Sequence, residues 1–150
     1  MSTQDKSAII IDTNLIISAI ILKGNTTPNK LLTAWRQDHY TLLMSEELIA
    51  EIEAVLRREK IFKKYHILPE EIDALLEELR FSTQFVTSLS FHDLPIHSRD
   101  IKDDKLLACA LTGVCNYLIT GDNDLLVLNG DPALENLKII TATEFLSTSQ

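Results

Sequence analysis

Four acids are the residues of this chain best suited to chemistry: Asp12, Glu51, Asp103 and Asp122. Asp12 closes the apolar run Ala8-Ile9-Ile10-Ile11 and opens Asp12-Thr13-Asn14. Asp122 closes Tyr117-Leu118-Ile119-Thr120-Gly121. A charged residue directly after three isoleucines is costly unless it is paired, hydrogen-bonded or metal-bound. In a parallel α/β sheet the carboxyl ends of the strands open onto the ligand crevice. Several carboxylates converging there would repel one another, and a bound cation is the simplest resolution.

The flanking sequence leaves a bland and a sharp reading open for most of these positions. At about 100° per residue, Leu48, Ile49, Ile52, Val55 and Leu56 form one helical stripe. Glu51 lies at its edge, where it either snorkels to water or reaches a pocket at the end of the sheet. Asp103 falls in the first turn of a helix whose buried face is Leu106, Leu107, Ala110 and Leu111. The helix dipole favours a carboxylate there whatever it does. Its i−4 relation to Leu107 turns Asp103 inward, and Asp104 reads as the solvated neighbour. Thr120-Gly121-Asp122-Asn123-Asp124 is either a turn of small polar residues or part of an acidic site. Asp124 is a further ligand candidate or a cap for Leu125-Leu126. His39, His66, His92 and His97 lack zinc-site spacing and read as surface or loop residues. Neither a glycine-rich phosphate loop nor a Gly-x-Ser-x-Gly elbow occurs.

The elements that must position these acids follow from periodicity and caps. Residues 8–12 read as a buried strand, 14–22 and 28–38 as helices, and 40–44 as a second strand. Ser45 caps a helix with Glu46 and Glu47 in its first turn. A helix at 69–81, a short strand at 83–88 and a loop at 89–101 follow. Asp100 or a neighbour caps the next helix, which ends at Gly113 in a left-handed terminal position. Strands at 116–120 and 138–140 precede Thr141-Ala142-Thr143-Glu144, a capping box for a final helix. Alternating strands and helices predict an α/β fold, a mainly parallel sheet with helices on both faces.

At 150 residues the chain reads as one domain, 1–150. Apolar content of 45% and charged content of 24% are ordinary for a soluble protein. The run Ala8 to Leu22 is too short for a membrane span and carries Asp12 and Asn14 at its centre. It also lacks the features of a signal peptide, so a cytoplasmic location is expected. Cys109 and Cys115 read as small core residues, and Trp35 as a core or interface aromatic. A net charge of −8 argues against nucleic-acid binding. Five of the 14 basic residues, however, are Arg57, Arg58, Lys60, Lys63 and Lys64. That cluster is either a solvated helix end or an edge that contacts phosphates.

In order and flanks, the four acids resemble the PIN-domain family of nucleases. The likeness is to its stand-alone members that are toxin components of toxin–antitoxin pairs. It rests on IIIDTNLIISAI, SEELIAEIEAVLRREK, RDIKDDKLLACAL and YLITGDNDLL, spanning residues 9 to 126. One departure is Ile101, where the family often has proline. The resemblance implies a three-layer α/β/α sandwich with a central, mainly parallel sheet. It implies an endoribonuclease that hydrolyses RNA phosphodiester bonds with one or two Mg²⁺ or Mn²⁺ ions. Asp12, Asp103 and Asp122 would be ligands. Glu51 would be a ligand, directly or through water, or would orient the nucleophile. Asn14 and Thr120 would support the carboxylates, and Arg57 to Lys64 would meet RNA. The implied partners are RNA, a small antitoxin protein and a second copy of the chain as a homodimer. Two other readings are an idle PIN scaffold that only binds RNA or a protein, and an aspartate-based phosphatase. The phosphatase needs a second aspartate where Asn14 stands.

Overall fold

The computed structural model describes residues 6–87 and 93–148. His92, the end of the expected third strand at Ser88 and the loop residues 89–91 lie outside the described residues. Five strands form one sheet: β1 (Ala8–Ile11), β2 (Thr41–Met44), β3 (Gln84–Phe85), β4 (Tyr117–Ile119) and β5 (Lys138–Ile140). Their order is β3-β2-β1-β4-β5, and every pairing is parallel. Ile9 sits opposite Leu42 on one side and Tyr117 on the other. β1 is therefore central, which explains its unbroken apolar run: Ile9, Ile10 and Ile11 are all buried.

The winding direction reverses between β1 and β4. Right-handed crossovers running in opposite directions put helices on opposite faces of the sheet. The reversal also opens a crevice at the carboxyl ends of those two strands, the usual ligand position in open α/β sheets. The expected α/β class, with a parallel sheet flanked by helices, is the observed one.

The helices are α1 (Thr13–Ile21), α2 (Thr27–Arg36), α3 (Glu46–Leu56), α4 (Glu59–Lys64), α5 (Pro69–Phe81), α6 (Asp104–Thr112), α7 (Asn123–Leu126) and α8 (Ala142–Thr148). Short 3₁₀ turns occupy Ile101–Asp103 and Pro132–Leu134. Ser45 Oγ accepts from the Leu48 amide and caps α3. Thr141 and Glu144 close their capping box at 3.0 and 3.1 Å.

Two local expectations are corrected. The basic segment, expected as one helix end, does not continue the Glu51 helix beyond its C-cap Arg57. α3 stops at Leu56 and a separate α4 begins at Glu59. Ile52 and Leu56 are buried, but one turn further on Glu59 and Lys60 offer nothing apolar to hold the helix on the core. Gly113 is also not left-handed: its φ is −83°, and the left-handed residue is Val114 at φ 53°. The Cys115 amide donates to Ala110 O and the Val114 amide to Leu111 O, which is a Schellman termination with valine in the strained position. Gly113 serves packing instead. A Cβ there would lie 2.8 Å from Leu43 Cδ2 and 2.9 Å from Val86 Cγ2.

Candidate metal centre

The floor of the crevice is built by the ends of β1 and β4. The Asp12 amide donates to Ile119 O, so the sheet continues up to the first acid. Asp12 is only 4% exposed. Its Oδ1 accepts from the Asn14 amide at 3.0 Å, capping α1, and its Oδ2 accepts from Thr120 Oγ1 at 2.7 Å. Burial raises the Asp12 pKa, the bonds from Thr120 and Asn14 pull it down, and the nearby Asp122 and Glu51 charges add to the rise. Thr120, fully buried, also accepts from the Asp122 amide at 3.0 Å. One hydroxyl thereby ties the two strand ends together. Asp122 Oδ1 in turn accepts from the Asp124 amide and caps α7.

Asp103 reaches the same place from the 3₁₀ turn ahead of α6. Its carboxyl lies against Asp122, and burial and the close Asp122 carboxylate push its pKa up to about 7. Asp103 Oδ2 is buried and has no hydrogen-bond partner among the described residues. One oxygen from each of Asp103, Asp122 and Asp124 lies within 4.8 Å of the others. A converging set of hard carboxylate oxygens, with a buried Asp103 oxygen left without a donor among the described residues, suits a divalent cation such as Mg²⁺ or Mn²⁺.

Two acids stand beside this set rather than in it. Asp12 spends both oxygens on protein donors and touches the cluster through Thr120. Glu51 Oε1 accepts from Thr13 Oγ1 at 2.7 Å, and its Oε2 lies 3.9 Å from Lys105 Nζ. The Asn14 side chain is exposed. The basic segment is partly engaged elsewhere: Arg57 pairs with Glu53 and Asp73, Lys63 with Glu59, and Lys64 sits over the Tyr65 ring.

Residues 8–124, most of the chain, match the family model described as PIN domain. The chain belongs to the PIN domain family. Among solved structures this PIN domain is similar to VapBC2 from Rickettsia felis, in a crystal structure bound to a DNA fragment from their promoter. The TM-score is 0.55 at 16% identity, over 89% of this chain and 98% of that one. At that identity the likeness concerns the fold. A comparison with curated proteins gave no match.

Asp104 of the PIN domain overturns its reading as the solvated neighbour. It is 4% exposed, its Oδ1 accepts from the Ser98 amide at 2.9 Å, and its Oδ2 lies 2.7 Å from His97 Nδ1. The helical wheel fails because α6 is buried on almost every side, from Leu106 through Ala110. Sequence reasoning also passed over Thr13, Ser98, Arg99 and Lys105. The adjacency of Arg99 and Lys105 to the Asp100–Asp104 acids was the available signal. Arg99 Nη2 pairs with Asp124 Oδ1 at 3.0 Å.

Proposed function

We propose that this PIN domain is an endoribonuclease dependent on Mg²⁺ or Mn²⁺, and that it is the toxin of a toxin–antitoxin pair. The single observation that carries the metal reading is Asp103 Oδ2, buried beside Asp122 and Asp124 with no hydrogen-bond partner among the described residues. Asp103, Asp122 and Asp124 would hold the cation, with Asp12 and Glu51 adding negative charge behind them. When bound, the cation would lower the pKa of a water and offset charge at the phosphate.

The chain's own residues do the positioning. Thr120 fixes the Asp12 carboxylate and the Asp122 backbone in one bond network, so the two strand ends keep their spacing. Thr13 turns Glu51 toward the crevice, where its carboxylate would orient the attacking water. The attack would be in line on phosphorus, with the leaving oxygen on the far side. Asp103 holds the site's spare proton and must release it before all three carboxylates act as anions.

The wider reading covers the partners. The segment Arg57, Arg58, Lys60, Lys63 and Lys64 would contact RNA phosphates along the edge beyond α3. The VapBC2 likeness supports a cognate antitoxin, and a second copy would complete a homodimer. No helix among the described residues is long and apolar enough to cross a membrane. The test is cleavage of a mixed structured RNA, and of DNA of the same sequence, with Mg²⁺, Mn²⁺ or EDTA. RNA cleavage that EDTA abolishes is expected. Metal-independent cleavage would remove the metal reading, and no cleavage while RNA or a partner protein still binds would replace it with that of an idle scaffold.

A further inference from the structure

We propose that Arg99 and Lys105 are the residues that seat the RNA phosphate at this site, exchanging their present acid partners for it. The inference rests on the nuclease reading above. Arg99 pairs with Asp124 at 3.0 Å and Lys105 with Glu51 at 3.9 Å. Other ion pairs among the described residues, such as Arg36–Glu78, Arg80–Glu46 and Lys23–Glu71, involve none of the site acids. These two side chains also remain reachable, at 67% and 41% exposure.

Their backbones are anchored while their charged ends stay exposed to solvent. Asp104 holds the loop before Arg99 through the Ser98 amide and His97. Ser98 Oγ contacts Asp124 O and accepts from the Asp100 amide. Lys105 follows the buried Asp104 directly in the first turn of α6. Both cations thus start from rigid anchors on either side of the acids, so little ordering is needed to engage a ligand.

Charge requires something of this kind. Asp12, Glu51, Asp103, Asp122 and Asp124, once ionised, bring five negative charges to the crevice. A single divalent cation leaves three, and a phosphodiester would still be repelled. Arg99 and Lys105 reduce the excess to one. Asp124 is both the partner of Arg99 and a member of the ligand set, so Arg99 gives up Asp124 when the cation is held and keeps an unpaired guanidinium. Exposed ion pairs contribute little to stability, which makes the exchange easy. The guanidinium fork matches two phosphate oxygens, while the ammonium of Lys105 supplies a point charge.

The experiment compares Arg99→Gln, Lys105→Gln and the conservative Arg99→Lys and Lys105→Arg with the wild type. It reads KM, kcat and the salt dependence of kcat/KM on a single-stranded RNA, and Mn²⁺ affinity without RNA by electron paramagnetic resonance. The glutamine variants should raise KM more than they lower kcat. Each should flatten the slope of log kcat/KM against log salt by about 0.7, the value for one lost phosphate contact on a single strand. Their Mn²⁺ affinity should be unchanged or higher, because a competing cation has gone, and the conservative variants should restore the slope. An unchanged slope and KM would overturn the proposal and leave the nuclease reading standing. Weaker Mn²⁺ binding in the glutamine variants would also overturn it, assigning these residues to the metal centre's architecture. A wild type that neither holds Mn²⁺ nor cleaves RNA would remove the underlying reading first.

Discussion

Lowering the pH from 8 to 6 should weaken Mn²⁺ binding about tenfold. Burial and the neighbouring Asp122 carboxylate push the Asp103 pKa up to about 7. A cation that takes both carboxylates must displace that proton, so its apparent Kd is multiplied by one plus the ratio of protonated to ionised Asp103. That factor is about 1.1 at pH 8, about 2 at pH 7 and about 11 at pH 6, a difference near 1.4 kcal/mol across the range. Calorimetric titration in two buffers of different ionisation enthalpy counts the protons released, expected to be about one per ion at pH 6 and about 0.1 at pH 8. Asp103→Asn should bind more weakly and lose the pH dependence together with the proton release. The same shift acts on stability. The folded, metal-free protein keeps the Asp103 proton between the ordinary carboxylate range, near 3.8, and about pH 7, whereas the unfolded chain does not. Stability therefore falls as the pH rises through that window. Affinity that stays constant between pH 6 and 8 in the wild type would refute the proton held on Asp103 and its role.

Asp104→Ala should cost about 1.5–3 kcal/mol in urea unfolding, because it strands the buried Ser98 amide and releases His97. A change near zero would remove Asp104 as the anchor of that loop. Gly113→Ala and Val114→Gly should move stability in opposite directions. The first forces a methyl against Leu43 and Val86 and should cost about 1–3 kcal/mol. The second relieves a β-branched residue held at φ 53° and should add about 1 kcal/mol. Thermal melts of the two variants that shift the same way would contradict this assignment of roles. Arg57→Ala combined with Arg58→Ala should weaken RNA binding and flatten its salt dependence. An unchanged slope would make that segment a solvated helix end.

How much of this was legible depended on what the neighbours did. Asp12 and Asp122 stood out because an acid after a buried strand is conspicuous, and strand order then placed both at the β1/β4 reversal. Their different situations were not legible. Asp12 is satisfied by Asn14 and Thr120, donors that only the fold brings to it. Asp124 looked weaker as a ligand, yet its oxygen lies with those of Asp103 and Asp122. Asp104 was misjudged because the wheel assumes one wet face, and α6 starts at Asp104 with hardly any. Gly113 was misread because glycine after a helix more often signals a left-handed turn than close packing. The α3–α4 break is visible afterwards in Glu59 and Lys60, where the apolar stripe fails.

The most direct measurement is an anomalous difference map from crystals grown with Mn²⁺. A peak is expected among the carboxylates of Asp103, Asp122 and Asp124, and it should be absent from Asp122→Asn crystals prepared in the same way. Crystals soaked at saturating Mn²⁺ that show no peak there, or show one held by other residues, would contradict the metal centre on which the nuclease reading stands.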